Sequence, residues 1–342
     1  MKLLISILEP SGNLHFKPIF DELSSCELFG IFDESFGKPL LPSSAFSIMG
    51  FVDAIPKIKL AKKAIKEMVK LSFEVDTVLL IDSPAFNLPL AKAIKESNPN
   101  VKIVYYILPQ VWAWKEKRVK KVEKYCDVLA SILPFEQQFY NKATYVGHPL
   151  LDEISTCKES YEYSDYICYL PGSRKSEIKK LLPIYKDIAK NIDKKSILVI
   201  PPHFDEKQIK EIYGDISEFE ISTDTHESFL RSEFAFVCSG TATLEASLIG
   251  IPLVLAYKAK AIDAFIARRF VKLKHVGLAN IICDFEGLEP LHVELLQDDV
   301  TSENLLSEYV NMDREKFFQN SQKLRAILKH GSKNEMVKLI KI

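Results

Sequence analysis

The sequence predicts an α/β protein made of two doubly wound domains and a helical C-terminal tail. Short apolar runs alternate with longer, lysine-rich amphipathic segments, a pattern typical of βα units in mostly parallel sheets. At 342 residues the chain is too long for one typical hydrophobic core. A polar stretch at 152–165 lies between two sets of apolar runs and indicates an interdomain linker. We therefore expect domains at 1–155 and 165–312, followed by a tail at 313–342.

Eight apolar runs are the predicted strands. They lie at 3–8, 78–81, 103–107 and 128–133 in the first half, and at 167–170, 197–200, 234–237 and 253–256 in the second. Ligands of such sheets bind beyond the carboxyl ends of the strands, so we expect a site in a cleft that the two domains face. After residue 313 a helical pattern returns. We expect this tail to pack on the first domain or on a partner chain, which leaves a homodimer open.

Composition limits the classes of function. Hydrophobic residues make up 47% of the chain and charged residues 27%, as in soluble globular proteins. The net charge of −1 argues against a nucleic-acid partner, and six scattered cysteines without a C-x-x-C pair favour a reducing cytoplasm. No stretch approaches the roughly 20 apolar residues of a membrane span. Neither an Asp-x-Asp pair nor a histidine cluster indicates a metal, and we expect no cofactor.

Two loops of the second half suit a phosphate ligand. Small and hydroxylated residues follow the strand at 234–237, namely Ser239, Gly240, Thr241, Ala242 and Thr243. They allow close approach to a helix N-terminus, where Glu245 could accept hydrogen bonds from ribose hydroxyls. Ser173 and Arg174 follow the strand at 167–170, and an arginine fork suits a diphosphate. The alternatives are a tight turn with an acid that favours the helix dipole, and a surface arginine beside a capping serine.

Two groups of the first half are candidate bases. Asp82 ends the strand at 78–81, where a carboxylate could accept a proton from a hydroxyl nucleophile. His15 follows the first strand and could act as a base or as a hydrogen-bond donor. A turn-forming aspartate and a structural histidine are the alternatives.

Two surfaces combine apolar and basic residues. The stretch 46–70 contains Met49, Phe51, Val52 and Ile55 followed by dense lysines, which suits a helix at an anionic membrane surface. An amphipathic core helix is the alternative. Both tryptophans, Trp112 and Trp114, precede a basic run at 115–121. Stacking on nucleic-acid bases is disfavoured there by the neutral overall charge, and packing is the simpler interpretation.

Six segments in order resemble the lipid-A-disaccharide synthase family of Gram-negative bacteria. They are PQVWAWK at 109–115, ILPFE at 132–136, YVGHPL at 145–150, LPGSR at 170–174, SGTATLEA at 239–246 and FIARRFVK at 265–272. Together they extend over most of the chain between about 76 and 284. The resemblance implies two Rossmann-like domains of the glycosyltransferase-B type, with the donor on the second domain and the acceptor on the first.

The resemblance also implies the reaction and its ligands. A diacylated glucosamine would pass from its UDP donor, with inversion, to the 6-hydroxyl of diacylglucosamine 1-phosphate. A β-1,6-linked disaccharide and UDP would form without a metal. Residues 239–243 would hold the diphosphate, Glu245 the ribose, and Arg174 the leaving-group charge, with Asn280 near the donor. Because both substrates carry acyl chains, the resemblance favours a cytoplasmic protein bound peripherally to the anionic inner-membrane surface.

The chain departs from the family at two motifs. The family commonly has GEASGD near the first turn, where this chain has LEPSGN at 8–13, and IDAPDFN where this chain has IDSPAFN at 81–87. The second carboxylate of that motif is therefore Ala85, which leaves Asp82 first and His15 second as base, with Asp76 and Glu9 as weaker candidates. Two alternatives stay open. One is another UDP-N-acetylhexosamine enzyme, such as a peptidoglycan transferase or a 2-epimerase, and the other is a non-catalytic membrane-surface protein that binds nucleotide.

Overall fold

The computed structural model describes residues 1–23, 25–47, 54–258 and 273–341. It divides the chain into two compact units, Met1–Glu153 with Leu328–Ile342, and Ile154–Ile327. Each unit contains one parallel β-sheet covered by helices, and the C-terminal end is helical. The predicted α/β class is confirmed.

The first unit has a seven-stranded sheet in the order β3-β2-β1-β4-β5-β6-β7. Its strands are β1 (Lys2–Ile7), β2 (Glu27–Phe32), β3 (Leu41–Pro42), β4 (Thr77–Ile81), β5 (Lys102–Tyr106), β6 (Val128–Ser131) and β7 (Ala143–Tyr145). The strand order reverses between β1 and β4, which places the topological switch point there. Ile81 lies opposite both Ile7 and Tyr106, so β1, β4 and β5 end at the same level.

Helices cover both faces of this sheet. The first six are α1 (Pro10–Glu22), α2 (Ser44–Ser47), α3 (Ala54–Leu71), α4 (Pro84–Ser97), α5 (Val119–Tyr125) and α6 (Pro149–Glu153). Buried side chains of α3, α4 and α5 share one hydrophobic cluster with β1, β4 and β5, while α1 packs in the cluster on the opposite face. Short 3-10 turns lie at Glu34–Phe36, Glu116–Arg118 and Pro134–Gln138.

The second unit has a six-stranded sheet in the order β10-β9-β8-β11-β12-β13. Its strands are β8 (Tyr166–Leu170), β9 (Lys195–Val199), β10 (Glu220–Ser222), β11 (Phe234–Cys238), β12 (Leu253–Tyr257) and β13 (Glu294–Leu296). Its helices are α7 (Lys175–Asn191), α8 (Glu206–Tyr213), α9 (Thr225–Arg231), α10 (Thr241–Ile249), α11 (Leu278–Phe285), α12 (Ser302–Asn311) and α13 (Arg314–Ile327). Helices α7, α8 and α12 pack on one core cluster, and α9, α11 and α13 surround α10. All eight predicted strands coincide with strands of the two sheets.

The segment 313–342 contributes one helix to each unit. Helix α13 packs on α10, where the Ser321 hydroxyl donates to the Ser247 carbonyl. The last helix, α14 (Ser332–Lys341), packs on α1 in the first unit. Asp152 accepts hydrogen bonds from the backbone N–H groups of Gly331 and Lys333 and so caps α14 (2.8 and 3.0 Å). The tail therefore completes the first unit through α14.

The segment YVGHPL at 145–150 receives the chain that enters α14. The His148 N–H donates to the Lys329 carbonyl at 3.1 Å, and the Lys329 N–H donates to the Tyr145 hydroxyl at 3.2 Å. A Cβ atom on Gly147, whose φ is +91°, would lie 2.6 Å from the same carbonyl oxygen. Only glycine fits this approach, which gives the motif a structural reason.

Several predicted surface residues lie outside the described part of the chain. These are Met49, Phe51, Val52 and the segment 265–272. Ile55 belongs to α3, but its side chain also lies outside the described part. Among the described helices, none has both the length and the apolar character to cross a membrane.

Candidate functional site

In the second unit, the two predicted phosphate loops leave neighbouring strands side by side. Leu170 of β8 lies opposite Val237 of β11, so residues 171–174 and 238–241 emerge at the same edge of the sheet. Gly172 has a φ of +106°, and a Cβ atom there would lie 2.7 Å from Glu177 Oε2 and 3.1 Å from Cys238 Sγ. The two loops are therefore packed together through glycine. The structure brings Ser173 and Arg174 to the same edge as Ser239 and Gly240.

Arg174 stands at the amino end of α7. Its N–H donates to Glu177 Oε2 (3.3 Å) and its guanidinium Nη1 donates to Glu177 Oε1 (2.8 Å), so the Glu177 carboxylate accepts both bonds and closes the first turn of the helix. The hydrogen bond with Glu177 raises the pKa of Arg174 above its ordinary value. The side chain is nevertheless 76% exposed. Glu177 thus positions a permanent cation that remains open to a ligand.

Helix α10 begins directly after β11, and its N-cap residue is Gly240, which has no side chain to cap the helix. Ser239 and Ala242 are half-buried, and Gly240 and Thr241 are exposed. The Thr243 side chain is buried, and its hydroxyl donates to the Gly240 carbonyl at 2.8 Å. Thr243 therefore shapes the turn, while the neighbouring backbone can offer N–H groups to an anion.

Glu245 lies one turn inside α10 and is half-buried. Its charge contributes, after burial, to the raised pKa of the Cys168 thiol, which lies on the adjacent strand β8. The carboxylate thus lies beside the strand that leads to Arg174. This placement suits a hydrogen-bond acceptor for a ligand held at the ends of β8 and β11.

Asn280 is fully buried in α11 and its amide is saturated with hydrogen bonds. Its Oδ1 accepts from the N–H groups of Leu291 and His292, and its Nδ2 donates to the His292 carbonyl and to Glu294 Oε1. These contacts use every donor and acceptor of the amide. The side chain therefore fixes the segment 291–294, and its expected contact with the donor stays a prediction.

In the first unit, Asp82 lies at the switch point in a turn that is held from several sides. Asp82 and Ser83 have φ values of +50° and +44°, a region disfavoured for residues other than glycine. The Asp82 N–H donates to the Tyr106 carbonyl (3.0 Å), and its carbonyl accepts from Tyr105 Oη (2.7 Å) and Asn87 Nδ2 (2.8 Å). Neighbouring groups thus impose the disfavoured backbone, as is common at functional sites.

The environment of the Asp82 carboxyl suits a base. Burial raises its pKa above the ordinary value, while the Ser83 backbone hydrogen bond lowers it, the charge of Glu9 raises it and that of His15 lowers it. Three of the candidate bases of the first unit are therefore electrostatically coupled at the ends of β1 and β4. The fourth, Asp76, lies at the opposite edge, where its carboxylate accepts from the Lys2 N–H at 2.8 Å. A base whose pKa is raised towards neutrality is better matched to proton abstraction near neutral pH.

Ala85 occupies an exposed position in the first turn of α4. This is the position of the second carboxylate in the motif of the resembling family. It is three residues beyond Asp82, whose backbone is fixed by β5 and α4. Position 85 is not part of that hydrogen-bonded turn.

His15 pairs with an acid that the sequence did not indicate. Its Nδ1 lies 2.5 Å from Glu153 Oε1 in α6, and both side chains are largely buried. This contact favours a proton on Nδ1, which makes Nε2 the nitrogen that can accept a proton. Glu153 is 138 residues from His15 in sequence, so no local pattern could have linked them. Asn87, which donates to the Asp82 carbonyl, could have been identified from the sequence, because it belongs to the same IDSPAFN segment as Asp82.

The segment 109–118 follows β5 and is held by hydrogen bonds to two buried residues, Glu136 and Tyr140. Trp112 is buried, and its Nε1 donates to Glu136 Oε1 at 3.2 Å. Tyr140 Oη donates to the Pro109 carbonyl at 2.7 Å. Burial raises the pKa of Glu136 to about 8, so this acid is largely protonated at neutral pH. Trp114, in contrast, is 46% exposed.

Among the described residues, no group of three acidic, histidine or cysteine side chains could hold a metal ion, and all six cysteines are free thiols. In the second unit an arginine and helix-end amides lie at one edge of the sheet, and such groups can bind a nucleoside diphosphate. In the first unit two carboxylates and a histidine lie close enough to interact, and such groups can move a proton.

Comparisons with known proteins give the chain its family and its fold relatives. It is 49% identical to lipid-A-disaccharide synthase of Campylobacter jejuni subsp. jejuni, with 98% of each chain covered, and 48% identical to that of Helicobacter pylori strain G27, with 99% of each covered. Among solved structures, Acinetobacter baumannii MurG matches with a TM-score of 0.62 at 11% identity, over 99% of each chain. Neisseria meningitidis UDP-GlcNAc 2-epimerase bound to UDP-GlcNAc matches equally well, with a TM-score of 0.62 at 11% identity and 100% coverage of both chains.

The structural likenesses show the shared fold alone, because they extend to transferases and epimerases alike. The family model described as lipid-A-disaccharide synthetase matches residues 3–341, nearly the whole chain. With this match and relatives at almost half identity, the chain belongs to the lipid-A-disaccharide synthetase family of glycosyltransferases.

Proposed function

We propose that this protein transfers a 2,3-diacylglucosamine from its UDP donor to the 6-hydroxyl of 2,3-diacylglucosamine 1-phosphate. The products are the β-1,6-linked disaccharide 1-phosphate and UDP. Membership of the family supports this reaction. The observation that carries its chemistry is the placement of Arg174 beside the uncapped amino end of α10, on adjacent strands of the second unit.

The second unit binds the donor in this proposal. The backbone of 239–243 holds the diphosphate at the helix N-terminus, and Glu245 accepts hydrogen bonds from the ribose hydroxyls. Arg174, assisted by Ser173, stabilises the negative charge that develops on the departing diphosphate. Asn280 supports this side indirectly, because it fixes the segment 291–294.

The first unit binds the acceptor and supplies the base. Asp82 accepts the proton of the acceptor 6-hydroxyl while the oxygen of that hydroxyl forms a bond to the anomeric carbon of the donor. The bond from that carbon to the diphosphate breaks on the opposite face, so the configuration inverts and UDP leaves with the bonding electrons. His15, oriented by Glu153 through Nδ1, accepts the proton at Nε2 in place of Asp82 or, in its protonated form, donates a hydrogen bond from Nε2 to the acceptor.

The proposal also places the protein at a membrane. Acylated substrates require an interfacial surface, and the apolar-basic stretch 46–70 has the composition for it. We assign that surface to Met49, Phe51, Val52 and Ile55, on the cytoplasmic side of the inner membrane. The substitutions Met49→Ser and Phe51→Ser together should release the protein from anionic vesicles in a sedimentation experiment. Unchanged vesicle binding would refute the assignment.

A turnover experiment tests the reaction. Purified protein with UDP-diacylglucosamine and diacylglucosamine 1-phosphate, in the presence of a chelator, should release UDP and form the disaccharide. Glu245→Ala should abolish binding of the UDP donor, whereas the exposed Glu227→Ala on α9 should leave it intact. Epimerisation of UDP-N-acetylglucosamine, or UDP binding without transfer to this acceptor, would contradict the proposed function.

A further inference from the structure

A cationic aromatic cluster follows β5 in the first unit. It consists of Trp114, Lys115 and Arg118, and we call it the Trp114 cluster. Lys115 Nζ lies 3.9 Å from the centroid of the indole ring, and the Arg118 guanidinium carbon lies 5.2 Å from it. Within the described ranges neither cation forms an ion pair with a carboxylate. Two uncompensated cations on one exposed ring suit an anionic ligand.

The backbone beneath the cluster is fixed. Lys115 has a φ of +56°, which is disfavoured for a lysine, and its carbonyl accepts from the Arg118 N–H at 2.9 Å. Two residues before Trp114, the Trp112 indole is tied to Glu136. A disfavoured backbone held on a buried anchor is typical of a site whose geometry matters.

The charge of this region is unlike that of the whole chain. Residues 114–124 contain six basic and two acidic side chains, a net charge of +4, whereas the whole chain carries −1. One of the two acids, Glu123, is engaged by the N–H of Asn141 at 2.7 Å. The basic excess is therefore local and faces solvent.

The cluster lies at the same end of the sheet as Asp82. Tyr105 Oη donates to the Asp82 carbonyl, and its pKa responds to the charge of Asp82 and to that of Arg118 in the cluster. Burial raises the pKa of Tyr105 far above its ordinary value, the charge of Asp82 raises it further, and the charge of Arg118 lowers it. Burial likewise raises the pKa of Tyr140, against the charge of Arg118. Arg118 and Asp82 thus act on the same phenol.

We propose that the Trp114 cluster binds the phosphate monoester of the acceptor sugar and so selects a phosphorylated acceptor. This inference rests on the proposed function, in which the donor diphosphate is already assigned to the second unit. The acceptor carries the other phosphate, a dianion at neutral pH whose three oxygens can accept from an ammonium and a guanidinium together. Trp114 limits the motion of both cations, which reduces the entropy lost on binding.

The test compares two acceptors that differ only in the phosphate. Steady-state rates are measured in neutral detergent micelles with diacylglucosamine 1-phosphate and with diacylglucosamine. The double variant Lys115→Gln with Arg118→Gln should raise KM for the phosphorylated acceptor about ten- to a hundredfold, from the loss of two charge-assisted hydrogen bonds. It should leave KM for the phosphate-free acceptor and for the UDP donor unchanged.

A matched control removes the same charge from the same basic run. Lys120→Gln with Lys121→Gln, on the exposed side of α5, should leave KM for both acceptors unchanged. An equal rise of KM for the two acceptors in the Lys115 and Arg118 variant would overturn the proposal. So would an equal effect of the control pair, since the attraction would then be diffuse.

A membrane headgroup is the other source of the same phosphate chemistry. If the cluster serves headgroups, the Lys115 and Arg118 variant loses binding to anionic vesicles while its micellar KM stays at the native value, and our inference is then wrong. Calorimetric titration of the phosphorylated acceptor in neutral micelles separates this inference from the proposed reaction. Binding that weakens in the variant supports the cluster even if no transfer occurs, and binding that is equal in both proteins refutes it.

Discussion

The phenol of Tyr105 in β5 donates a 2.7 Å hydrogen bond to the main-chain carbonyl of Asp82, at the end of the neighbouring strand β4. Asn87 donates to the same carbonyl at 2.8 Å, and its own Oδ1 accepts from the Ser6 hydroxyl at 2.6 Å. Three strands and a helix thus hold one disfavoured turn. The direction of the Asp82 carboxylate therefore depends on residues that do not touch a substrate.

Tyr105→Phe should lower kcat while KM for the UDP donor stays unchanged. The substitution removes one donor from the Asp82 carbonyl, which should cost about 1 kcal/mol of unfolding free energy. The loosened turn should reduce kcat by roughly tenfold, because small displacements of a catalytic group are costly. Steady-state kinetics and urea unfolding measure the two effects.

Tyr106→Phe is the matched control for this experiment. Tyr106 is the adjacent buried tyrosine, and its hydroxyl pairs with the Ser332 hydroxyl at 2.9 Å on the α14 side of the sheet. It should lose similar stability and keep the native kcat. An equal loss of kcat in the two variants would mean that the Asp82 turn has no special dependence on Tyr105.

Asp82→Asn should remove the acidic limb of the pH–rate profile. Burial raises the pKa of Asp82, and a base must be ionised to accept a proton. In the native protein kcat/KM should therefore rise with pH through a value above the ordinary aspartate pKa and level off beyond it. The variant should lose about 10²–10⁴ in kcat and show no such rise.

Ala85→Asp tests whether the second acid of the family motif can replace Asp82. Because Ala85 is exposed and outside the hydrogen-bonded turn, Asp82→Asn with Ala85→Asp should stay as slow as Asp82→Asn alone. Recovery of activity in the double variant would instead identify position 85 as the place of the base.

The strands that the sequence predicted share a continuous apolar run, and the ones it missed do not. In β2, Gly30 interrupts the run with a φ of +110°, and a Cβ atom there would lie 2.2 Å from the Ile5 carbonyl oxygen. The close approach of two strands requires this glycine, but in a sequence it looks like a strand end. The strand β3 has only two residues, which is too short to be recognised, and the exposed edge strand β10 has too little apolar character.

The candidate site was predictable to the extent that it follows strands. Arg174, Ser239 and Asp82 could be selected because polar residues at the carboxyl ends of parallel strands converge. Their partners could not, because Glu153 and Tyr105 reach the site only through tertiary packing. Asn280 is the opposite case. The sequence places it near the donor, but the hydrogen bonds of its amide go to the segment 291–294.

Arg174→Gln should separate catalysis from stability. The pair with Glu177 involves a largely exposed guanidinium, and such pairs contribute only about 0–1 kcal/mol. The unfolding midpoint should therefore change little. If the guanidinium neutralises the leaving diphosphate, kcat should fall by about 10²–10³. Arg231→Gln, which breaks the Glu220 pair at 2.6 Å in the same unit, should leave kcat unchanged.

Glu136 should make the stability of the first unit depend on pH. Burial raises its pKa to about 8 from an ordinary value of 4.5, with hydrogen bonds from Trp112 and from two backbone groups acting in the opposite direction. Between these two values the folded state holds a proton that the unfolded state has released. The stabilisation is therefore complete below about pH 4.5 and is lost as the pH rises towards 8.

Glu136→Gln should flatten this dependence. Glutamine keeps an oxygen that can accept from Trp112 Nε1 at a similar distance, and it cannot ionise. Urea unfolding between about pH 5 and pH 8 should give a falling midpoint for the native protein and a smaller fall for the variant. Glu123→Gln, at a half-buried carboxylate near the same segment that accepts from the Asn141 N–H, controls for the loss of one acid and should reproduce the native slope. Parallel curves for native protein and Glu136→Gln would show that the buried acid ionises without cost, and that the anchor beneath the Trp114 cluster does not depend on its proton.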